Sequence, residues 1–368
     1  MKIVIPRNDL LDAVNKVKTV VSAKSALPIL SHILLDCQES AVRLSATDLK
    51  VSIECTVDCT VEEPGSLTVS AQRLAAILSE LPQGDIALSL GDNNVVTLES
   101  ARIQTKLFSM SPEEFPPIRA FDDVEPIILE QILLKKLFSK TSFAISSDQA
   151  RYNLTGLLFE LKGGKLNTVA TDGRRMSMCS ETDGIPEGID VKVIIPGKMI
   201  VELERLLSGE EEVKVQVDET QAAFTFDSIR LVTALIEGTF PNYEMVIPKK
   251  HDKEALLEVA PFVDAVRRTR TMTNEKFNSV RFHLSNGALT LKVVTPEVGE
   301  YHEDMPVEYD GDEVEIAFNP DFILDVLRRT DGDKVVLQLK DSMSPGVLKP
   351  YTEAPVDGYV NVIMPIRI

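Results

Sequence analysis

Leu67-Thr68-Val69-Ser70-Ala71-Gln72-Arg73-Leu74-Ala75-Ala76-Ile77-Leu78-Ser79-Glu80-Leu81, closed by Ile86-Ala87-Leu88, reads as strand, helix, strand. Leu74, Ile77, Leu78 and Leu81 recur at the spacing of one helical face, and Ser70 is a good first residue for a helix. The pattern comes three times. Pro196 to Leu207 (Leu203, Leu206, Leu207) lies between Val191-Lys192-Val193-Ile194 and Val213-Lys214-Val215. Pro320 to Arg329 (Ile323, Val326, Leu327) lies between Val314-Glu315-Ile316 and Val335-Val336-Leu337. A period of this kind decides a fold before any single element does.

Outward from these helices lies a second repeated unit, a strand followed by an amphipathic helix. Met1 to Ser22 carries Leu10, Leu11, Val14, Val17 and Val21; Pro126 to Ser146 carries Leu133, Leu134, Leu137 and Phe138. A third copy begins near Leu256, with Pro261 at the helix start and Phe262, Val263 and Val266 following. Stretches such as Val42-Arg43-Leu44-Ser45, Phe224-Thr225-Phe226 and Leu289-Thr290-Leu291-Lys292-Val293 alternate with period two, the mark of half-buried antiparallel strands. The reading is an α+β protein of three similar lobes, each with two helices on antiparallel sheets. Polar turns near Phe121-Asp122-Asp123 and Lys249-Lys250-His251 divide them into 1–121, 122–250 and 251–368. Lobes of roughly 120 residues are of ordinary domain size.

The net charge of −18 argues at first against nucleic acid, whose phosphates need a basic surface. Net charge hides distribution, however. Lys135, Lys136 and Lys140 lie on the arc of a helix opposite Leu133, Leu134, Leu137 and Phe138. Arg267, Arg268 and Arg270 recur in the equivalent helix of the third lobe, and Arg7, Lys16 and Lys18 in the first. Arg73, Lys198, Arg205, Arg328 and Arg329 fall on or at the ends of the other helices. Any one helix of this kind is usually a solvated face. Recurrence at matching positions in an acidic chain points to a weakly positive surface made by helices.

Other chemistries find little support. Cys37, Cys55, Cys59 and Cys179 sit in apolar or alternating stretches without ligand spacing, so buried, reduced thiols and no metal are expected. The four histidines stand away from any nucleophile elbow, and phosphate-binding loops are missing. No cofactor is expected. Met1-Lys2-Ile3-Val4-Ile5-Pro6 reads as a strand rather than a leader, and no apolar run approaches membrane length, so a cytoplasmic location is expected. Two other readings stay open from these residues alone: a hydrolase using paired carboxylates on a duplicated α+β fold, and a repeat scaffold that binds proteins.

Four motifs, in order, carry a resemblance. Ala170-Thr171-Asp172-Gly173-Arg174-Arg175-Met176 resembles the ATDGHRL signature of the bacterial DNA polymerase III beta subunit family. Phe240-Pro241-Asn242-Tyr243-Glu244-Met245-Val246-Ile247-Pro248 is similar to its FPDYxxVLP stretch. Tyr359 through Ile368 resembles its YVVMPMRL ending, and Leu27-Pro28-Ile29-Leu30 matches a further family position. The resemblance covers the whole chain.

It implies a DNA sliding clamp, a processivity subunit with no catalysis of its own, closing as a head-to-tail homodimer into a ring around duplex DNA without sequence preference. The DNA-facing side chains it implies are Lys24, Arg73, Lys135, Lys136, Lys140, Arg151, Tyr152, Lys198 and Arg205. The dimer interface would use Arg102, Lys106 and Leu107 on a strand of the first lobe. From the third lobe it would use Thr271 and Met272 and an acidic loop holding Glu297, Glu300, Glu303 and Asp304. The replicative polymerase, the clamp loader and other proteins would dock short peptides in a pocket. Its implied walls are Leu154, Thr171, Gly173, Arg174, Arg175, Met176, Pro241, Met245, Val246, Val362, Met364, Pro365 and Ile366. Arg174 stands where the family commonly has His, and Met245 where it has Arg.

Overall fold

The computed structural model describes residues 1–21, 26–91, 94–209, 211–352 and 358–367; Lys24 lies outside them. Among the described residues there are six α-helices: α1 (Arg7–Val17), α2 (Ala71–Glu80), α3 (Gln131–Thr141), α4 (Gly197–Leu206), α5 (Val259–Arg270) and α6 (Pro320–Leu327). They coincide with the six predicted helices, shorter by a residue or two at some ends. The apolar spacing is what fixes them. Leu134, Leu137 and Phe138 of α3 are fully buried, each stabilising the fold by roughly 1.5–3 kcal/mol. Asn319 caps α6, its Oδ1 accepting the Asp321 N–H at 2.9 Å, and Pro320 follows at the first helical position.

The chain forms two compact units. Met1–Ile132 with Arg205–Leu235 make one, and Leu133–Glu204 with Ile236–Ile368 the other. Each holds one eight-stranded and one smaller antiparallel sheet. In the first unit the large sheet runs Ile127–Glu130, Glu212–Val217, Gln221–Phe226, Ile229–Ala234, Val51–Asp58, Ala41–Thr47, His32–Gln38, Gly65–Ser70. Ile229–Ala234 joins Val51–Asp58 with Ile229 opposite Cys55 and Thr233 opposite Val51. The smaller sheet has five strands and ends at the edge strand Ile103–Phe108.

The second unit repeats this plan. Its large sheet runs Asp190–Pro196, Gly156–Lys162, Lys165–Thr171, Arg175–Glu181, Tyr359–Ile363, Gly346–Pro350, Lys334–Leu339, Lys253–Glu258. The central seam pairs Tyr359 with Cys179 and Ile363 with Arg175. The four-stranded sheet ends at the edge strand Gly299–Pro306. Its core is centred on Phe282, edge-on to both Phe262 and Phe318 at centroid distances of 6.2 and 5.5 Å.

A turn marks the repeat at atomic detail. In the first unit Asp48 Oδ1 accepts the N–H groups of Lys50 and Val51, and Thr47 Oγ1 accepts that of Leu49. In the second unit Asp172 Oδ1 accepts from Arg174 and Arg175, and Thr171 Oγ1 accepts from Gly173. Such turns need a left-handed residue. Leu49 (φ +75°), Gly173 (φ +81°) and Glu297 (φ +66°) supply it at matching positions of the three lobes. The strands Val51–Asp58, Arg175–Glu181 and Gly299–Pro306 follow these turns in order.

Some expectations change. Lys140 is not on an exposed arc: its side chain is 8 % exposed, and Nζ donates to the Arg329 carbonyl, pairs with Asp331 and lies over the Tyr359 ring. A cation at the border of the apolar face has been drawn inward by acceptors far away in sequence, so it leaves the DNA-facing set. Arg102 lies in the turn before the strand Ile103–Phe108, not on it. The expected acidic loop is largely a strand, since Glu300, Glu303 and Asp304 belong to Gly299–Pro306. Glu303 is paired with Arg268.

Candidate peptide-docking site

The seam between Arg175–Glu181 and Tyr359–Ile363 places Met176 directly opposite Val362. Both side chains are buried and form part of the floor of a cavity of about 210 Å³. Leu154, ending the 3-10 segment Gln149–Leu154, closes one side, and Pro241 and Val246 close another. Met364 is 40 % exposed at the mouth. Beneath lies an apolar cluster that includes Leu158, Val169, Ile194, Ile236 and Val360, so the floor is continuous with packed core. Such support keeps a pocket open rather than collapsed.

Thr171, Gly173 and Arg175 form the polar rim. Thr171 Oγ1 donates to the Arg175 carbonyl at 2.6 Å. Arg175 is held on all sides: Nε donates to Asp172 at 3.1 Å, Nη1 to Asp325 at 2.7 Å and Nη2 to the Phe143 carbonyl at 2.6 Å. Its guanidinium also lies over the rings of Phe322 and Phe143. A planar fork suits that set of partners in a way a lysine could not. Gly173 is required for its left-handed conformation (φ +81°); a Cβ there would meet only the movable tip of the exposed Arg151 side chain.

Two lining residues escape the sequence reading, Phe240 and Tyr243. Tyr243 donates its phenol to Glu160 at 2.6 Å, and Lys192 donates to the other oxygen of that carboxylate at 2.6 Å. Burial works to raise the Glu160 pKa, but the hydrogen bonds from Lys192 and Tyr243 outweigh it and hold the carboxyl below its ordinary range. Burial and then that carboxylate push the Tyr243 phenol well up. The Tyr–Glu–Lys chain thus clamps the segment that carries Pro241 and Val246.

Other implied wall residues fall elsewhere. Met245 is 80 % exposed and does not line the cavity, because the 3-10 turn Tyr243–Met245 turns Tyr243 inward and leaves Met245 outward. Arg174 and Ile366 line a neighbouring cavity instead, and Pro365 lines neither. The Met364 N–H donates to the Arg174 carbonyl, and the Ile366 N–H to Ala317, which fixes the segment between the two cavities.

The helical cations are largely at the surface. Arg73, Lys135, Lys136, Lys198 and Arg205 are exposed, as are Arg151 and Tyr152. Several have partners: Lys136 with Glu181, Arg151 with Asp148, and Arg205 with the Lys16 carbonyl and Thr19. Lys106 is exposed and Leu107 half-buried on their edge strand, where Phe108 is 84 % exposed. Thr271, Glu297 and Glu300 are exposed, whereas Met272 packs partly against core. Among the described residues no helix is long and apolar enough to cross a membrane.

A pocket of about 210 Å³ is smaller than those that enclose a whole small molecule, about 300–1,000 Å³. Its apolar floor and fixed rim suit a pair of apolar side chains from a peptide, and the class so defined is a binding protein. Comparison with known proteins is specific. Family profiles for the N-terminal, central and C-terminal domains of the DNA polymerase III beta subunit match residues 1–119, 128–242 and 244–367. The beta sliding clamp of Chlamydia muridarum is 33 % identical over 368 residues, covering 100 % of this chain and 99 % of the relative. The crystal structure of the Pseudomonas aeruginosa DNA polymerase III subunit beta aligns with TM-score 0.94 at 33 % identity over 100 % of both chains. The Bacillus subtilis DNA polymerase sliding clamp aligns with TM-score 0.95 at 25 % identity, covering 100 % of this chain and 99 % of that one. The chain belongs to the DNA polymerase III beta subunit family, the bacterial beta sliding clamps. It has three α+β clamp domains and the function of a DNA sliding clamp, a replication processivity factor and not an enzyme.

Proposed function

We propose that two copies of this chain close head to tail into a ring around duplex DNA, and that the apolar pocket tethers the replicative polymerase, the clamp loader and other proteins by short peptides. The observation that carries the ring is a pattern of strand pairing. In each unit the last strand of one lobe pairs with the strand that follows the Thr-Asp turn of the lobe before it: Ile229–Ala234 with Val51–Asp58, and Tyr359–Ile363 with Arg175–Glu181. Two strands at these repeat positions remain at sheet edges, Ile103–Phe108 and Gly299–Pro306.

An exposed strand edge invites pairing. Pairing them between two copies uses the same rule a third time, and two such unlike-surface contacts close a ring. Extending the register of the two observed seams sets Ile103 opposite Glu303, Thr105 opposite Tyr301 and Lys106 opposite Glu300. Phe108, Leu107 and Met272 then supply apolar contact, with Arg102, Thr271 and Glu297 around it.

Arg73, Lys135, Lys136, Lys198, Arg205, Arg151 and Tyr152 face DNA in this reading. A mild, sequence-independent attraction suits a ring that must slide, and an acidic remainder keeps duplex off other surfaces. The three domains divide at 1–121, 122–250 and 251–368, and the protein works in the cytoplasm. Sedimentation tests closure: a species of twice the chain mass at micromolar concentration is expected, and a monomer there would contradict the ring.

A further inference from the structure

In the first unit, residues 59–64 cross the turn end of a β-hairpin made by His32–Gln38 and Ala41–Thr47. Val51–Asp58 pairs with Ala41–Thr47 on one side of that hairpin, and Gly65–Ser70 pairs with His32–Gln38 on the other. The crossing begins at Cys59, whose N–H donates to the Ser40 carbonyl of the hairpin turn at 2.9 Å. It continues as Thr60–Glu63, which pairs with Lys2–Pro6 in the smaller sheet. Side chains alternate along a strand, so Cys59 falls on the inward side with Val57 and the buried Cys55. Cys37, opposite Gly65 in the first strand of the hairpin, is fully buried. The two thiols meet under the crossing and are hydrogen-bonded to each other. Cys59 alone of this pair is partly exposed.

We infer that Cys37 and Cys59 are a modification site, closing into a reversible disulfide when hydrogen peroxide is the oxidant. Cys59, the thiol that solvent reaches, reacts first. Its sulfur attacks one peroxide oxygen, so an S–O bond forms, the O–O bond breaks, and hydroxide leaves to take up the Cys59 proton as water. Cys59 is then a sulfenic acid, its sulfur oxidised and the peroxide reduced. The Cys37 sulfur attacks the Cys59 sulfur next. The S–S bond forms, the S–O bond breaks, and the hydroxyl leaves with the Cys37 proton as a second water. Burial pushes the Cys37 thiol up to about 12 and raises Cys59 too, although the hydrogen bond from Cys37 eases the latter. The thiolate is the reactive form, so the reaction is slow and needs sustained peroxide. Exchange with a reducing thiol reopens the bond. While closed, it ties the hairpin of the large sheet to the crossing that leads into the smaller one. Restricting the unfolded chain in this way stabilises the first lobe.

The test incubates the folded full-length chain with hydrogen peroxide and maps its peptides by mass spectrometry without reduction. The expected product joins the peptides of Cys37 and Cys59, lighter by two hydrogens than the separate thiols, with Cys55 and Cys179 still free. Dithiothreitol should release it, and the oxidised chain should unfold at higher urea than the reduced one. In Cys37→Ala the Cys59 sulfenic acid has no thiol to resolve it, so dimedone should capture it well above the level in the parent chain. A parent chain whose Cys59 is captured by dimedone or runs on to sulfinic acid, with Cys37 still free, overturns the inference. So does a bond from Cys37 to any other cysteine, or a full set of unmodified thiols after prolonged exposure.

Discussion

Arg175 Nη1 donates to Asp325 Oδ2 across 2.7 Å, linking the strand beneath the pocket to α6 of the following lobe. With Asp172 and the Phe143 carbonyl on its other nitrogens, the guanidinium is a structural hub at the pocket rim. Truncation takes one donor from each of two carboxylates and from a carbonyl, although Asp172 keeps the Arg174 and Arg175 N–H groups and Asp325 keeps Arg328. Arg175→Ala should therefore cost roughly 2–3 kcal/mol in urea unfolding and weaken peptide binding. Arg175→Lys should recover little of either, because one ammonium cannot meet three acceptors in a plane.

Met364 stands at the pocket mouth with its side chain partly exposed. Met364→Ala should weaken a docked peptide by roughly 1–2 kcal/mol, a moderate share for one apolar anchor. Calorimetry with a Gln/Leu-Phe peptide reads it directly, and thermal unfolding should be little changed.

Glu160 ties Tyr243 to Lys192, and its folded-state pKa is held below its ordinary value of 4.5. A depressed carboxyl contributes stability that is fully present above the unfolded value and is lost as pH falls through the folded one. Stability measured from pH 6 downward should thus fall below about pH 4.5. In Glu160→Gln the fall should be shallower, with lower stability at neutral pH. An unchanged acid slope in that variant would remove the carboxylate from the account.

Lys135 and Lys136 are exposed on α3 and Lys140 is buried on it. Lys135→Ala/Lys136→Ala should leave stability within about 0.5 kcal/mol, while weakening DNA association and reducing its salt dependence. Lys140→Ala should do the reverse: lose roughly 1–2 kcal/mol, as the Arg329 carbonyl loses its donor, with the salt dependence unchanged.

At the proposed ring contact, Lys106→Glu should place like charges opposite Glu300 and weaken the dimer. Lys106→Glu/Glu300→Lys should restore it. Sedimentation over a dilution series separates the two, and a double variant no tighter than the single one would argue for a different register. This pair is a cleaner probe than Met272, whose packing against core would make its loss a folding defect.

The three lobes and six helices were legible because burial imposes periodic spacing, and the repeat triples the signal. Side-chain destinations set by distant partners were not. Lys140 sits at the margin of the apolar arc, and its acceptors on Arg329 and Asp331 arise 189 and 191 positions later. Tyr243 has its partner Glu160 83 positions earlier. Arg174 and Arg175 were readable in principle: alternation at the start of a strand sends neighbours to opposite sides, and they do line different cavities. Met245 turned outward because a 3-10 turn, not a strand, carries it.

The central claim is topological: the chain holds DNA by encircling it, with little direct grip. Loaded onto a nicked circular plasmid by a clamp loader, the protein should remain on the DNA through gel filtration at moderate salt, and should run off once a restriction enzyme linearises the circle. Equal retention on circular and linear DNA would contradict the account.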